Sequence, residues 1–206
     1  MSAETARIEA FSDGVFAIAI TLLVLELKIP ANGAGRLASS LVRQWPSYAA
    51  FTLSFAFIGI MWINHHRLFT HIRRSSNALL VLNLLLLFGI TVVPFPTAVL
   101  AAYLRTGDAR PAALLYNGTY FVIAVLFNLL WQYSVRAGLL DPASAAAAEK
   151  ISQQYSYGPL FYLICLGVAW ISASASLALN CALAIFFALP PHVATSLKKP
   201  NAGMAR

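Results

Sequence analysis

Charge is what this sequence has least of. Only 10% of its 206 residues are Asp, Glu, Lys or Arg, whereas 60% are hydrophobic. A water-soluble domain carries roughly 25% charged residues, so this chain is too poor in charge to cover a surface with polar groups. An ordinary soluble globular protein is excluded, and lipid is left as the solvent. Cysteine is scarce too: the 2 present, Cys165 and Cys181, fall inside apolar runs, where a thiol acts as a small hydrophobe. Neither a disulfide scaffold nor a cysteine metal site is expected. The 7 acidic residues are outnumbered by 14 basic ones, for a net charge of +7. The basic residues lie in short segments between apolar runs rather than on one soluble face, so no nucleic-acid partner is expected.

Catalytic signatures are missing as well. There is no Gly-x-Ser-x-Gly elbow, no Gly-rich phosphate loop and no carboxylate pair spaced for facing helices, so an enzyme is not expected. His65, His66 and His71 are the candidate haem or metal ligands, but neighbouring histidines chelate poorly and no Glu-x-x-His or cysteine set accompanies them. No resident metal or cofactor is therefore expected. The Thr-Val-Gly-Tyr-Gly filter of ordinary potassium channels is absent. The first apolar run begins near Phe11, carries Asp13 and lacks a small-residue cleavage site, so it is expected to remain in the protein. With no internal period of 20–50 residues, residues 1–206 read as a single membrane domain.

What the sequence does contain is a series of long apolar runs. A hydrocarbon core of about 30 Å is crossed by about 20 helical residues. Runs of that order cover Ile8 to Ile29, Trp45 to Asn64, Asn77 to Tyr103 and Ala112 to Val135. Pro30, Asn32 and Gly33 end the first; the string Asn64, His65, His66, Arg67 closes the second; Pro94 and Pro96 are expected to kink the third. The stretch Pro159 to Leu189 is too long for one straight span and is divided near Ser172 to Ser176, giving an all-α membrane protein of about six transmembrane helices. With the amino terminus inside, Arg7, Arg67, Arg73, Arg74, Arg136, Lys150, Lys198, Lys199 and Arg206 lie on the cytoplasmic side. Lys28, Arg36, Arg43, Arg105 and Arg110 lie on the other. This asymmetry follows the positive-inside rule and places both termini in the cytoplasm.

Ionisable groups inside a span cost several kcal/mol unless paired or hydrated, which marks them as functional candidates. Asp13 is the clearest, in the string Arg7-Ile8-Glu9-Ala10-Phe11-Ser12-Asp13-Gly14. It reads either as a helix-end carboxylate satisfied by Arg7 and backbone N–H groups, or as part of a buried network that fixes this helix to its neighbours. Adjacent helical residues point about 100° apart, so at most one of His65 and His66 faces the interior, where Asp13 or Arg7 would be its partner. Glu26 and Lys28 read as interfacial, snorkelling residues. Ile18, Thr21, Leu22 and Leu25 follow i, i+3, i+4, i+7 spacing and share one helix face, a pattern that by itself belongs to lipid-facing or packing surfaces.

The block Arg7 to Leu27, with Arg7, Phe11, Ser12 and Asp13 in register, resembles the first helix of the bacterial branch of the lysosomal potassium channel family, transmembrane protein 175. Trp62 to Arg67 is a looser echo of its second helix. The resemblance implies a homotetramer in the plasma membrane whose four first helices line a central pore without a carbonyl filter. By position, Ile18, Leu22 and Leu25 would form the apolar constriction and Thr21 a layer bearing on cation preference. Arg7, Phe11, Ser12 and Asp13, with Trp62, Asn64, His65 and His66, would brace the pore helix by hydrogen bonds. The expected partners are potassium ions, the bilayer and further copies of the chain. A proton-coupled transporter or proton channel using Asp13 and a histidine is the alternative.

Overall fold

The structure is a computed structural model and describes residues 3–30, 36–145 and 148–188. The expectations that rest on Asn32, Gly33, Leu189, Lys198, Lys199 and Arg206 lie outside the described residues.

Helices account for nearly all of the described chain. In order they are α1 (Ala3–Leu22), continued by a 3-10 turn (Leu23–Glu26), α2 (Leu37–Arg43), α3 (Trp45–His71), α4 (Asn77–Val92), α5 (Pro94–Tyr103), α6 (Ala109–Arg136), α7 (Pro142–Ala145), α8 (Ala148–Ile171) and α9 (Ala173–Ala188). Among the described residues, four spans are long and apolar enough to cross a membrane: Thr5–Glu26, Trp45–His71, Asn77–Tyr103 and Ala109–Arg136.

Several boundaries differ from the sequence expectation, each for a physical reason. The first helix starts at Ala3, because the polar turn before Ile8 has no breaker and continues the helix. It tightens to 3-10 geometry at Leu23, and Leu27 is already extended (φ −81°, ψ 94°), so the α-helix does not reach Ile29. Pro30 disfavours helical geometry at the residue before it. Asn64 to Arg67 do not close the second helix, which runs on to His71 because His65 is buried against neighbours and carries the helix through. The third span breaks at Val93, where Pro94 has no N–H to donate, and its two pieces are α4 and α5. Ser172 separates α8 from α9, but α8 begins at Ala148 rather than Pro159 and contains Pro159 within it.

In lipid, apolar burial between helices gives little driving force, so close packing and buried hydrogen bonds hold such a bundle together. Helix α6 is the spine: it packs on α4, α5, α8 and α9, and buries Tyr116, Tyr120, Leu130 and Trp131 completely. Gly89 lets α4 approach it closely, since a Cβ there would lie 2.9 Å from Ile123 Cγ1. Ser54 of α3 bonds to Thr97 of α5 (2.7 Å) and Tyr116 of α6 (3.0 Å). Helix α9 doubles back along α8: Ser176 Oγ donates to the Cys165 carbonyl at 2.9 Å, whereas eleven residues of straight helix would separate these groups by about 16 Å. Asn117 then donates to Ser176 Oγ (3.0 Å) and accepts from Asn180 (2.9 Å), fastening α9 to α6.

One end of the bundle is tied across its loops. Ile72 and Leu140 form an antiparallel bridge, Asp141 N–H donates to the His71 carbonyl at 2.9 Å, and Arg73 lies 3.5 Å from the Asp141 carboxylate. Gly138 makes the turn that enters this junction, at φ +64°. Arg7, Arg67, Arg73, Arg74 and Arg136 therefore gather at the same end as the amino terminus of α1.

A helix anchored on one face and bare on the other

Helix α1 packs on α3 and α4 through a single stripe. Thr5, Glu9, Ser12, Phe16, Ala19 and Leu23 are buried on it, following the 3.6-residue period. Only 28% of its apolar window is buried, the smallest share among the four spans found in the described residues, although Ile8, Val15 and Ile20 also pack against the core from its flanks.

The buried stripe is fastened by polar contacts at i, i+3 and i+4. Glu9, itself 5% exposed, meets His66 Nδ1 at 2.5 Å. Asp13 Oδ1 accepts from the Trp62 indole N–H at 2.8 Å. Between them Ser12 Oγ donates to the Ile8 carbonyl (2.8 Å) and accepts from Asn83 Nδ2 (3.0 Å), while Asn83 Oδ1 faces His65 Nε2 at 2.9 Å. Donor directions propagate along this chain. Ser12 spends its proton on Ile8, so Asn83 must donate to Ser12, and its remaining oxygen requires a proton on His65 Nε2. The other nitrogen, His65 Nδ1, is buried without a hydrogen-bond partner among the described residues. His65 is also stacked on Phe69, with ring centroids 4.5 Å apart, and tilted against Phe16 at 5.4 Å.

On α3 the partners Trp62, His65 and His66 repeat the i, i+3, i+4 pattern of Glu9, Ser12 and Asp13. Because Asp13 meets Trp62 while Glu9 meets His66, the two helices run antiparallel. Of the two histidines, His65 is the one inside; His66 has a side chain 56% exposed. Asp13 lies more than two turns into α1, not at its end, and it accepts from the Trp62 indole rather than from Arg7.

The structure brings Ser12, Asp13, Trp62, His65 and His66 together around α1 and leaves three other expected members elsewhere. Arg7 and Phe11 are exposed and line an open cleft between α1 and α4 with Leu80 and Leu84. Asn64 turns away from α1, and its backbone carbonyl accepts from Tyr155 Oη at 3.2 Å. Two members escaped the sequence reading. Glu9 was legible as the residue one turn before Asp13 on the same face. Asn83 was legible as an amide inside a leucine-rich span, where a polar group needs a partner.

The opposite face of α1 is bare. Ile18 is 60% exposed, Leu22 41% and Leu25 63%, and Thr21 is exposed beside them with its hydroxyl donated back to the Ile18 carbonyl at 2.9 Å. Ile18 sits two residues from buried Phe16, hence about 200° around the helix. Leu25 falls in the 3-10 turn rather than in α1 itself, yet stays on the exposed side. Among the described residues no group of three or more metal-ligating side chains is present.

Comparison with known proteins places this arrangement in a family. The sequence profile described as "Endosomal/lysosomal potassium channel TMEM175" matches residues 7–94, a segment that holds every member of the anchor. A protein named as a potassium channel in Chamaesiphon minutus is 49% identical over 191 residues, covering 90% of this chain and 94% of the relative. One of the same description in Streptomyces collinus is 47% identical over 188 residues, covering 89% and 91%. The crystal structure of a lysosomal potassium-selective channel TMEM175 homologue from Chamaesiphon minutus superposes with a TM-score of 0.84 at 47% identity, covering 91% of this chain and 97% of that one. The family is one of ion channels rather than enzymes, its members are membrane proteins, and this chain belongs to it: it is a member of the endosomal/lysosomal potassium channel TMEM175 family.

Proposed function

We propose that the protein is a passive, potassium-preferring cation channel of the plasma membrane, a homotetramer whose four α1 helices line the pore. The observation that carries this reading is the two-faced character of α1. One face is held by Glu9, Ser12 and Asp13, while Ile18, Thr21, Leu22 and Leu25 are left bare. A lipid-facing helix has no need of such anchoring, whereas a pore helix must hold its position against its copies. The names of the relatives support the same reading.

In the tetramer Ile18, Leu22 and Leu25 would stack as apolar rings about one helical turn apart. A ring too narrow to stay wet blocks ions, and a small widening admits a weakly hydrated cation. Potassium sheds water more readily than sodium, which gives preference without a carbonyl filter. Thr21 lies between the rings and offers a hydroxyl at the constriction. Ser12, Asp13, Trp62, His65 and His66 act at a distance, by fixing the direction in which the rings point.

The subunit is read as one six-helix domain, with α8 and α9 as its fifth and sixth crossings. At 1.5 Å per residue the 24 residues of α8 reach about 36 Å, ample for a bilayer, and the 16 residues of α9 about 24 Å, which local thinning accommodates. The arginine-bearing end, with both termini, is cytoplasmic in this reading. The test is ion flux through purified protein in liposomes under separate potassium, sodium and proton gradients with ionophore controls. Non-saturating potassium flux without obligatory proton coupling supports a channel. Flux that requires a proton gradient and vanishes in Asp13→Asn overturns it in favour of a proton pathway.

A further inference from the structure

The function proposed above makes no use of a second concavity, on the reverse of α3. Residues Trp62, His65 and His66 of that helix face α1. Ile60, Met61 and Asn64 face instead into a cavity of about 120 Å³, closed by Phe127 of α6 and by Gly158 and Phe161 of α8. Its lining is mainly aromatic and aliphatic and includes Tyr157, which is 56% exposed. A cavity of about 150 Å³ lined by apolar side chains stays dry and takes up benzene. This one is of the same order.

Three features make it more than a packing defect. Gly158 supplies its wall with no side chain: a Cβ there would meet no atom within 4 Å. Pro159, inside α8, has no N–H for the carbonyl of Tyr155 four residues back, so the turn that forms the wall carries a backbone acceptor outside the normal helical ladder. Asn64 adds an amide-bearing residue to a lining that is otherwise aromatic and aliphatic apart from Gly158 and tyrosine hydroxyls. A planar apolar body with one hydroxyl fits that chemistry, and the bilayer concentrates such molecules at the mouth.

We infer that the cavity between α3, α6 and α8 is a binding site for a single-ring, phenol-like amphipath that enters from the bilayer. It lies on the back of the helix that anchors α1. A guest in it therefore acts on α3 without touching the face proposed to line the pore.

The experiment uses the full chain in lipid nanodiscs and 4-fluorophenol as the probe, followed by fluorine NMR against protein-free discs. The expected result is a saturable component above lipid partitioning, weakened at least tenfold in Gly158→Leu, whose side chain fills the cavity. Circular dichroism and size-exclusion profiles verify that this variant is folded. A second variant, Phe161→Ala, enlarges the cavity and is expected to shift preference from 4-fluorophenol towards 6-fluoro-2-naphthol. Uptake that only follows the lipid content, or saturable binding of equal strength in folded Gly158→Leu, overturns the inference. So does an unchanged preference in Phe161→Ala. Because the readout is binding, the result stands apart from whether the protein conducts potassium.

Discussion

Asn83 is the residue on which the anchoring of α1 can be tested most sharply. It is 2% exposed and joins Ser12 of α1, at 3.0 Å, to His65 of α3, at 2.9 Å. Asn83→Leu keeps the branched shape of the side chain, with methyls in place of the amide atoms, and removes both bonds, leaving the His65 ring N–H buried without its acceptor and the Ser12 hydroxyl without its donor. Side-chain hydrogen bonds between membrane helices average about 0.6 kcal/mol and reach about 1.7. The substitution is therefore expected to destabilise the subunit by about 1 to 3 kcal/mol, or roughly 5- to 150-fold in the unfolding equilibrium. SDS-titrated unfolding followed by tryptophan fluorescence measures it. His65→Phe adds a decisive control. A phenyl ring retains the stacking on Phe69 and Phe16 and dispenses with a nitrogen, Nδ1, that already has no partner. With His65→Phe in place, Asn83→Leu should be less destabilising by at least about 0.6 kcal/mol, because one orphaned donor is gone. Strict additivity of the two, or an Asn83→Leu effect below about 0.3 kcal/mol, would refute the network as drawn.

Three further outcomes follow from the same geometry. His66→Ala strands the buried Glu9 carboxylate and should destabilise the fold by about 1 to 3 kcal/mol more than Glu9→Gln, since an unpartnered buried charge is worse than a neutral amide; the same SDS titration compares them. Trp62→Phe keeps an aromatic ring but removes the indole donor to Asp13, and should lower stability by about 0.5 to 1.5 kcal/mol because the bond is exposed, with Asp13→Asn largely neutral because its amide oxygen still accepts the indole proton. Gly89→Leu drives a side chain into Ile123 and should lower stability by about 1 to 3 kcal/mol, partly recovered by Ile123→Val; thermal size-exclusion assays read both.

What the sequence revealed and what it concealed divide along physical lines. The breaks at Val93 and Ser172 were legible because a proline or a cluster of small polar residues interrupts an apolar run, and these act locally. The continuation of α3 through Asn64, His65, His66 and Arg67 was not, because polar residues end a transmembrane helix only when they stay in the interface, and His65 is paired inside the bundle. The early start of α8 was concealed for the related reason that Glu149 to Ser156 are adequate helix formers without being apolar. In the site, the spacing of Ile18, Thr21, Leu22 and Leu25 disclosed a shared face; that the face is bare required the packing of the other helices. The partnerships Asp13–Trp62 and Glu9–His66 couple residues 49 and 57 positions apart, which no periodicity within one helix can disclose. Arg7 and Phe11 share a motif with Ser12 and Asp13 but sit about a third of a turn or more away from them, towards the cleft on the α4 side.

The bare face of α1 is the proposed permeation path. Planar-bilayer recordings of Ile18→Ser, Leu22→Ser and Leu25→Ser, beside a Leu129→Ser control on the exposed face of α6, test it most directly. A larger leak and a reversal potential shifted towards sodium are expected in the α1 variants, with Leu129→Ser like the parent. Currents and selectivity unchanged in all three α1 variants would contradict it and remove that face from the pore.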